Sequence, residues 1–261
     1  MGPVSRLLRR LPQEYDHLRL ARRRDDVPYG FSRLGTRYGG SCVPAGLLAP
    51  GSLAICVGAG EDISFDLRLV QQCRMRVHIL DPTPRAEAHV LEVLEGVRGG
   101  RAVPINHDPT QRYDLTGVDP RSIIYHKQGL WIEDAIMRFF APKDARHVSH
   151  SLTNPQKTEA YFEAECVTFA SFCARESLTD VELLKLDVEG AEYAVLSNIL
   201  AGKVLPKVLC VEFHGGIHRL QGYFQRITSS IEALRAAGYL LGCVDRWNLT
   251  FLHRDKAGLV C

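Results

Sequence analysis

Leu183-Leu-Lys-Leu-Asp-Val-Glu-Gly-Ala-Glu192 begins as a strand pattern and ends as a turn crowded with carboxylates. Lys185, Asp187 and Glu189 share one face at period two, and Leu184, Leu186 and Val188 share the other. Gly190 permits a sharp turn, after which Ala191, Val195, Leu196 and Ile199 recur at helical spacing. A buried strand that carries two carboxylates to its C-terminal end delivers them where open α/β sheets bind ligands. Val208-Leu-Cys-Val-Glu-Phe-His214 repeats the device, with Glu212 and His214 on one face at its end. Side by side, the two ends predict an acidic floor containing a histidine. Such a floor needs a cation, a proton or a polar substrate to be stable.

Working outward, strand and helix patterns alternate from residue 53 onward, the mark of a parallel α/β sheet. Leu53-Ala-Ile-Cys-Val57 is an apolar run closed by Gly58-Ala-Gly60, and Arg76-Val-His-Ile-Leu80 ends at Asp81-Pro82. Residues 86–96 form a helix pattern, and Ser122-Ile-Ile-Tyr-His126 reads as a third strand ending near Gly129-Leu-Trp131. Residues 131–165 suggest a hairpin or loop over the sheet edge. Thr168 to Ser177 predicts a helix, followed by strands at 181–188 and 207–213. Phe224, Ile227, Ile231 and Leu234 mark one more helix, closed by Gly238. Tyr239–Val244 and Leu249–His253 predict a closing antiparallel hairpin. The expected fold is α/β and Rossmann-like: a mostly parallel sheet of seven strands with helices on both faces and a C-terminal antiparallel hairpin.

Residues 1–50 differ, so the expected division is an N-terminal extension or lid at 1–50 and a main domain at 51–261. Arg6, Arg9, Arg10, Arg19, Arg22, Arg23 and Arg24 crowd the start, followed by a Gly- and Tyr-rich stretch around Tyr29-Gly-Phe31 and Tyr38-Gly-Gly40. The arginines read as a solvated helix face or lid, with an anionic partner or membrane surface as the alternative. Over all 261 residues the net charge is only +2, which offers no global argument for nucleic acid. No pair among the eight cysteines has CxxC spacing, arguing against a zinc knuckle. Cys56 and Cys210 read as small core residues. No apolar run suits a bilayer span or a secretory signal, so a cytoplasmic location is expected.

A strand ending in Gly-x-Gly before a helix is a nucleotide-binding turn, because glycine lets backbone approach the ligand. Here Ile63 stands where a dinucleotide fingerprint has its third glycine. Glu61 and Asp62 follow the turn and are poor neighbours for a pyrophosphate. They suit a cofactor with a positive charge or amino group and no phosphate, such as S-adenosylmethionine. Asp81 lies 21 residues beyond Gly60 at the end of the next strand, where a carboxylate can accept both ribose hydroxyls. The other reading of the turn is structural, with its acids capping the helix.

Val57-Gly-Ala-Gly60, Asp81-Pro-Thr-Pro84, Val148-Ser-His-Ser151, Leu184-Lys-Leu-Asp-Val-Glu-Gly-Ala-Glu192 and Val211-Glu-Phe-His214 occur in that order. Together they resemble the FkbM-type methyltransferases, a branch of the class I S-adenosylmethionine-dependent enzymes, over roughly residues 38 to 254. The resemblance implies a seven-stranded Rossmann-like sheet and methyl transfer, usually to oxygen of a small molecule or sugar. Asp62 stands where the last glycine of a class I turn often lies. On this reading Gly58, Gly60, Glu61 and Asp81 hold the cofactor, and Gly129 and Leu130 border its adenine. Asp187, Glu189 and His214 form the reacting face, with 1–50 and 131–165 covering it.

Methyl transfer from a sulfonium is an in-line displacement that needs the nucleophile held in place and, for oxygen, a proton removed. Asp187 can orient the cofactor's amino group, bind substrate or hold a metal. Glu189 and Glu192 flank a helix start, where capping also accounts for acids. His214 is the first candidate base and His150 the second; His126 reads as a core-edge residue. Asp187, Glu212 and His214 also form a donor set suited to magnesium or manganese. The rival readings are a nicotinamide-dependent oxidoreductase on the same sheet and a non-catalytic nucleotide-binding protein.

Overall fold

Strands β3 (Leu53–Val57) and β11 (Leu183–Leu186) carry no alternation of burial: every residue in both is buried. That is the behaviour of strands covered on both faces. In the computed structural model, which describes residues 13–106, 108–141, 158–217 and 221–259, they lie side by side at the centre of a seven-stranded sheet. Beyond β3 come β4 (Arg76–Leu80) and the edge strand β7 (Ile123–His126). Beyond β11 come β12 (Val208–Glu212), β14 (Asn248–His253) and β13 (Tyr239–Asp245). Only β14 runs against its neighbours, so the sheet is parallel apart from the closing hairpin, as the strand patterns predict.

Helices α2 (Ser64–Cys73) and α3 (Pro84–Gly99) pack Phe65, Leu69, Val90 and Val93 on one face. Helices α4 (Phe169–Arg175), α5 (Glu192–Leu200) and α7 (Tyr223–Ala236) pack Phe172, Val195, Leu196, Ile227 and Ile231 on the other. The chain leaves β3 toward β4 and returns on the opposite side at β11. The carboxyl ends of β3 and β11 therefore flank the reversal point, where a crevice forms in such sheets.

Two expected boundaries shift. The strand read at 181–188 is four residues long, because Asp187 donates its N–H to Val57 O (3.0 Å) and the chain then turns. Glu189 (φ 49°) and Gly190 (φ 98°) take left-handed backbone there. His214 is not on the strand face expected for it. β12 ends at Glu212, and His214 opens the short helix α6 (His214–Ile217).

Residues 13–50 are more ordered than an irregular leader. Helix α1 spans 13–21, and β1 (Phe31–Leu34) pairs antiparallel with β2 (Ser41–Pro44). Leu20 is buried in the core, and the Asp25 carboxylate binds Arg235 and the Leu241 N–H. Arg19 lies over the Phe224 ring at 3.8 Å. Arg6, Arg9 and Arg10 lie outside the described residues. Residues 131–165 contain a hairpin, β9 (Ala135–Phe140) against β10 (Tyr161–Val167), with β8 (Gly129–Leu130) parallel to β10. No helix among the described residues is long and apolar enough to cross a membrane.

Candidate active site

A cleft opens at the carboxyl ends of β3, β4 and β11. The glycine turn forms its floor. A Cβ on Gly58 would sit 1.8 Å from the Asp187 carbonyl oxygen, and its φ of 87° is a glycine conformation. Glycine at 58 thus lets the ends of β3 and β11 touch. Gly58, Gly60, Asp81, Gly129, Leu130, Asp187 and Glu189 all line the cleft, so seven of the sequence-predicted residues converge.

The backbone of the turn is turned inward. Ala59 and Gly60 donate to Asp81 Oδ2 at 2.9 and 3.0 Å, and Asp62 donates to the Ala59 carbonyl. Ile63 donates to the Tyr113 hydroxyl and Ser64 to Asp62 Oδ1. An anion-binding helix start offers free N–H groups; here these five are engaged.

This wiring changes the reading of three acids. Glu61 is buried and does not line the cleft; its carboxylate is forked by Arg85 at 2.9 and 2.8 Å. Asp62 lines the cleft but holds the loop at 36–40, accepting from the Thr36 hydroxyl and the Gly39 N–H. Asp81 accepts three backbone N–H groups, from Ala59, Gly60 and Thr83. The Thr83 hydroxyl adds a fourth bond, and a carboxylate has about four lone-pair positions, so Asp81 is occupied by the turn rather than left with a free pair for two hydroxyls. Burial pushes its pKa up, against those N–H bonds.

At the reacting end, His214 is ringed by carboxylates. Its Nδ1 lies 2.5 Å from Glu192 Oε1, and its Nε2 lies 3.4 Å from both Asp187 Oδ1 and Glu189 Oε2. Burial works against its charge, but the Glu192 hydrogen bond and the Glu192, Glu189 and Asp187 charges outweigh it and push its pKa up to about 10. That shift favours the imidazolium and argues against the base role expected for His214. Glu212 is pushed up to about 7 by burial and by Asp187, with His214 and Lys185 opposing. Of the two expected strand-end groups, Glu212 is the one whose pKa lies near neutral, and neither is among the residues that line the cleft.

Lys185 is 4% exposed, reaches the cleft, and sits 3.3 Å from Asp187 Oδ2. Burial disfavours its charge, but Asp187 and Asp66 reverse this and hold it above the ordinary lysine value. Asp66, wholly buried beneath it, is pushed up to about 6 by burial against the pull of Lys185. Asp187, Glu212 and His214 bring donor atoms within 4.8 Å of one another, as a metal set would.

Sequence reasoning missed four contributors as site residues: Tyr38 and Gly39 at the mouth, Phe139 on the wall, and Lys185 in the floor. Lys185 had a signal, the shared face with Asp187. Tyr38 had a weak one in its Gly-rich surroundings. His150 and the Val148–Ser151 motif lie outside the described residues.

Residues 106–241 match the family described as the methyltransferase FkbM domain. The chain belongs to that family. Among solved structures, it resembles methyltransferase FkbM from Methylobacillus flagellatus KT, at 16% identity and a TM-score of 0.43 over 80% of this chain. It spans 45% of that FkbM protein's length. It also resembles the fibrillarin pre-rRNA processing protein of Methanococcus jannaschii, at 12% identity and a TM-score of 0.39, over 79% of this chain and 68% of that one. Curated proteins yield no match. The matched span of the FkbM domain includes β11, β12 and the carboxylates around His214, but not the glycine turn at 58–60.

Proposed function

We propose that this chain transfers a methyl group from S-adenosylmethionine to a hydroxyl oxygen of a small-molecule acceptor, a sugar or natural-product scaffold. The carrying observation is a cleft whose glycine turn engages its N–H groups internally and whose β11 end is lined by Asp187, Glu189 and Lys185, with Glu192, Glu212 and His214 packed outside that lining. Asp187, Glu189, Glu192 and Glu212 surround His214 and Lys185. That surplus of negative charge fits the sulfonium and ammonium of this cofactor, and Lys185 fits its carboxylate. Leu80, Pro82, Leu130 and Phe139 offer an apolar wall for the adenine, and Asp81 lines the cleft beside it.

The bound cofactor supplies an electrophilic methyl group. The chain's own residues do the rest. Asp187 and Glu189 orient the positive end, and Glu212 accepts the acceptor's hydroxyl proton. His214 holds the carboxylates in one geometry, and the 36–40 loop, with Tyr38 and Gly39, limits water at the mouth. Near-balanced net charge favours a small molecule over nucleic acid as acceptor.

A nicotinamide-dependent oxidoreductase would need the turn's N–H groups for a pyrophosphate, and they face Asp81, Tyr113 and the turn itself. Calorimetric titration with S-adenosylmethionine, S-adenosylhomocysteine and NAD tests the reading. Binding of the first two without NAD is expected; NAD alone would overturn it. An acceptor screen with and without magnesium after chelation then separates metal-free from metal-assisted transfer. Binding that survives with no turnover for any acceptor favours the non-catalytic alternative.

A further inference from the structure

Outside the cleft, an unusual group interrupts the apolar face of β4. His78 sits between Val77 and Ile79 in mid-strand, only 5% exposed, on the face covered by α4. The strand register places His126 of β7 diagonally beside it on that face, since Leu80 pairs with His126. His78 Nδ1 and His126 Nε2 are 2.9 Å apart, and the ring of Phe172 from α4 meets both imidazoles edge-on. Glu176 caps the C-terminus of α4 above them. One donor atom from each of His78, His126 and Glu176 lies within 4.8 Å of the other two.

We propose that His78, His126 and Glu176 form a binding site for a borderline divalent cation of the zinc class, separate from the methyl-transfer cleft. Two imidazole nitrogens on a tetrahedral zinc stand about 3.3 Å apart, from bond lengths near 2.05 Å. The observed pair needs to open by a few tenths of an ångström, and each ring must turn its lone pair from the other nitrogen toward a shared point. Glu176 is exposed at a helix end, so its carboxylate can close the remaining distance, and water completes the set. Two nitrogens and one oxygen select zinc, cobalt or nickel over magnesium or calcium, which prefer all-oxygen sites. Without metal, the two neutral rings satisfy each other through one N–H···N bond. Metal binding moves that hydrogen to the outer nitrogen of the donating ring, so no net proton is released.

The ion would tie α4 to the edge strand β7. Gly129 and Leu130, three and four residues beyond His126, line the cleft, so the site braces one of its walls from behind.

The test uses the full chain stripped with a chelator, zinc by calorimetry and cobalt by absorbance. Wild type and E212Q are expected to bind one ion at this site, with a cobalt spectrum lacking a sulfur-to-metal band. H126A should weaken binding roughly 100-fold or more and E176Q roughly 10-fold. Zinc at ten times its Kd should raise the wild-type Tm by roughly 3–6 °C and leave H126A unmoved. Equal zinc binding by wild type, H126A and E176Q overturns the proposal, as does no binding by wild type. Loss of binding in E212Q alone would place the ion in the cleft and overturn it too. E176Q, altered at an exposed position, keeps the test valid if H126A does not fold.

Discussion

Two histidine clusters sit on this one sheet in opposite electrostatic settings. His214, beyond the end of β12, has three carboxylates within 3.4 Å and is held charged, with its pKa pushed up to about 10. His78, in mid-β4, is pushed down to about 4 by burial and by His126, and His126 is lowered by burial as well. Both clusters are largely enclosed, so burial alone does not set the protonation state. The number of carboxylates facing the ring does. A charged histidine organises acids; a neutral pair offers lone pairs.

The sharpest way to break this contrast is catalytic. With an acceptor that turns over, Glu212→Gln should lower kcat by roughly 10²–10⁴-fold, the usual worth of a general base, with cofactor affinity nearly unchanged. A harmless Glu212→Gln beside a dead His214→Gln would show that His214 does accept the proton.

Next in size is the cost of unbalancing His214. Glu192 is fully buried and accepts from both His214 Nδ1 and the Gly190 N–H. Glu192→Ala should destabilise the fold by about 3–5 kcal/mol in urea unfolding, because a buried cation loses its closest partner. A loss below about 1 kcal/mol would show the imidazole is not charged.

The pH profile reads the same cluster. His214 has a folded pKa above its ordinary 6.5. Its stabilisation is therefore fully present below about 6.5 and is lost as pH rises through about 10. The stability difference between wild type and His214→Gln should shrink across that window. The groups facing His214 are Asp187, Glu189, Glu192 and Glu212. A difference that grows with pH would reverse the assignment.

Smaller still is Asp81→Ala, which frees the N–H groups of Ala59, Gly60 and Thr83. It should weaken S-adenosylmethionine by roughly 10–100-fold through a loosened turn; unchanged affinity removes Asp81 from the site. The smallest effect belongs to the neutral pair: His126→Ala should leave cofactor affinity within about twofold. A larger loss would mean that the wall at Gly129 depends on the pair even without metal.

Much of the fold was legible because hydrophobic period is a local property. β3, β4, β11, β12 and the closing hairpin were each marked by their own residues, as were α3, α5 and α7. The short β1–β2 hairpin escaped because four-residue strands among glycines carry little periodic signal. Within the site, the glycine turn and the carboxylates that follow β11 were readable for the same local reason.

Which acid faces which partner was not readable. Glu61 and Arg85 are 24 residues apart, Asp62 meets Gly39 across 23, and His78 meets His126 across 48. Sequence alone determined the sheet, its order of elements and the family motifs, since these rest on residue type and short spacing. Only the tertiary structure decided that Glu61 serves Arg85, that Asp81 holds the turn, that three carboxylates ring His214, and that two distant histidines meet. Charge and hydrogen bonding depend on distance through space, which sheet register and helix packing set.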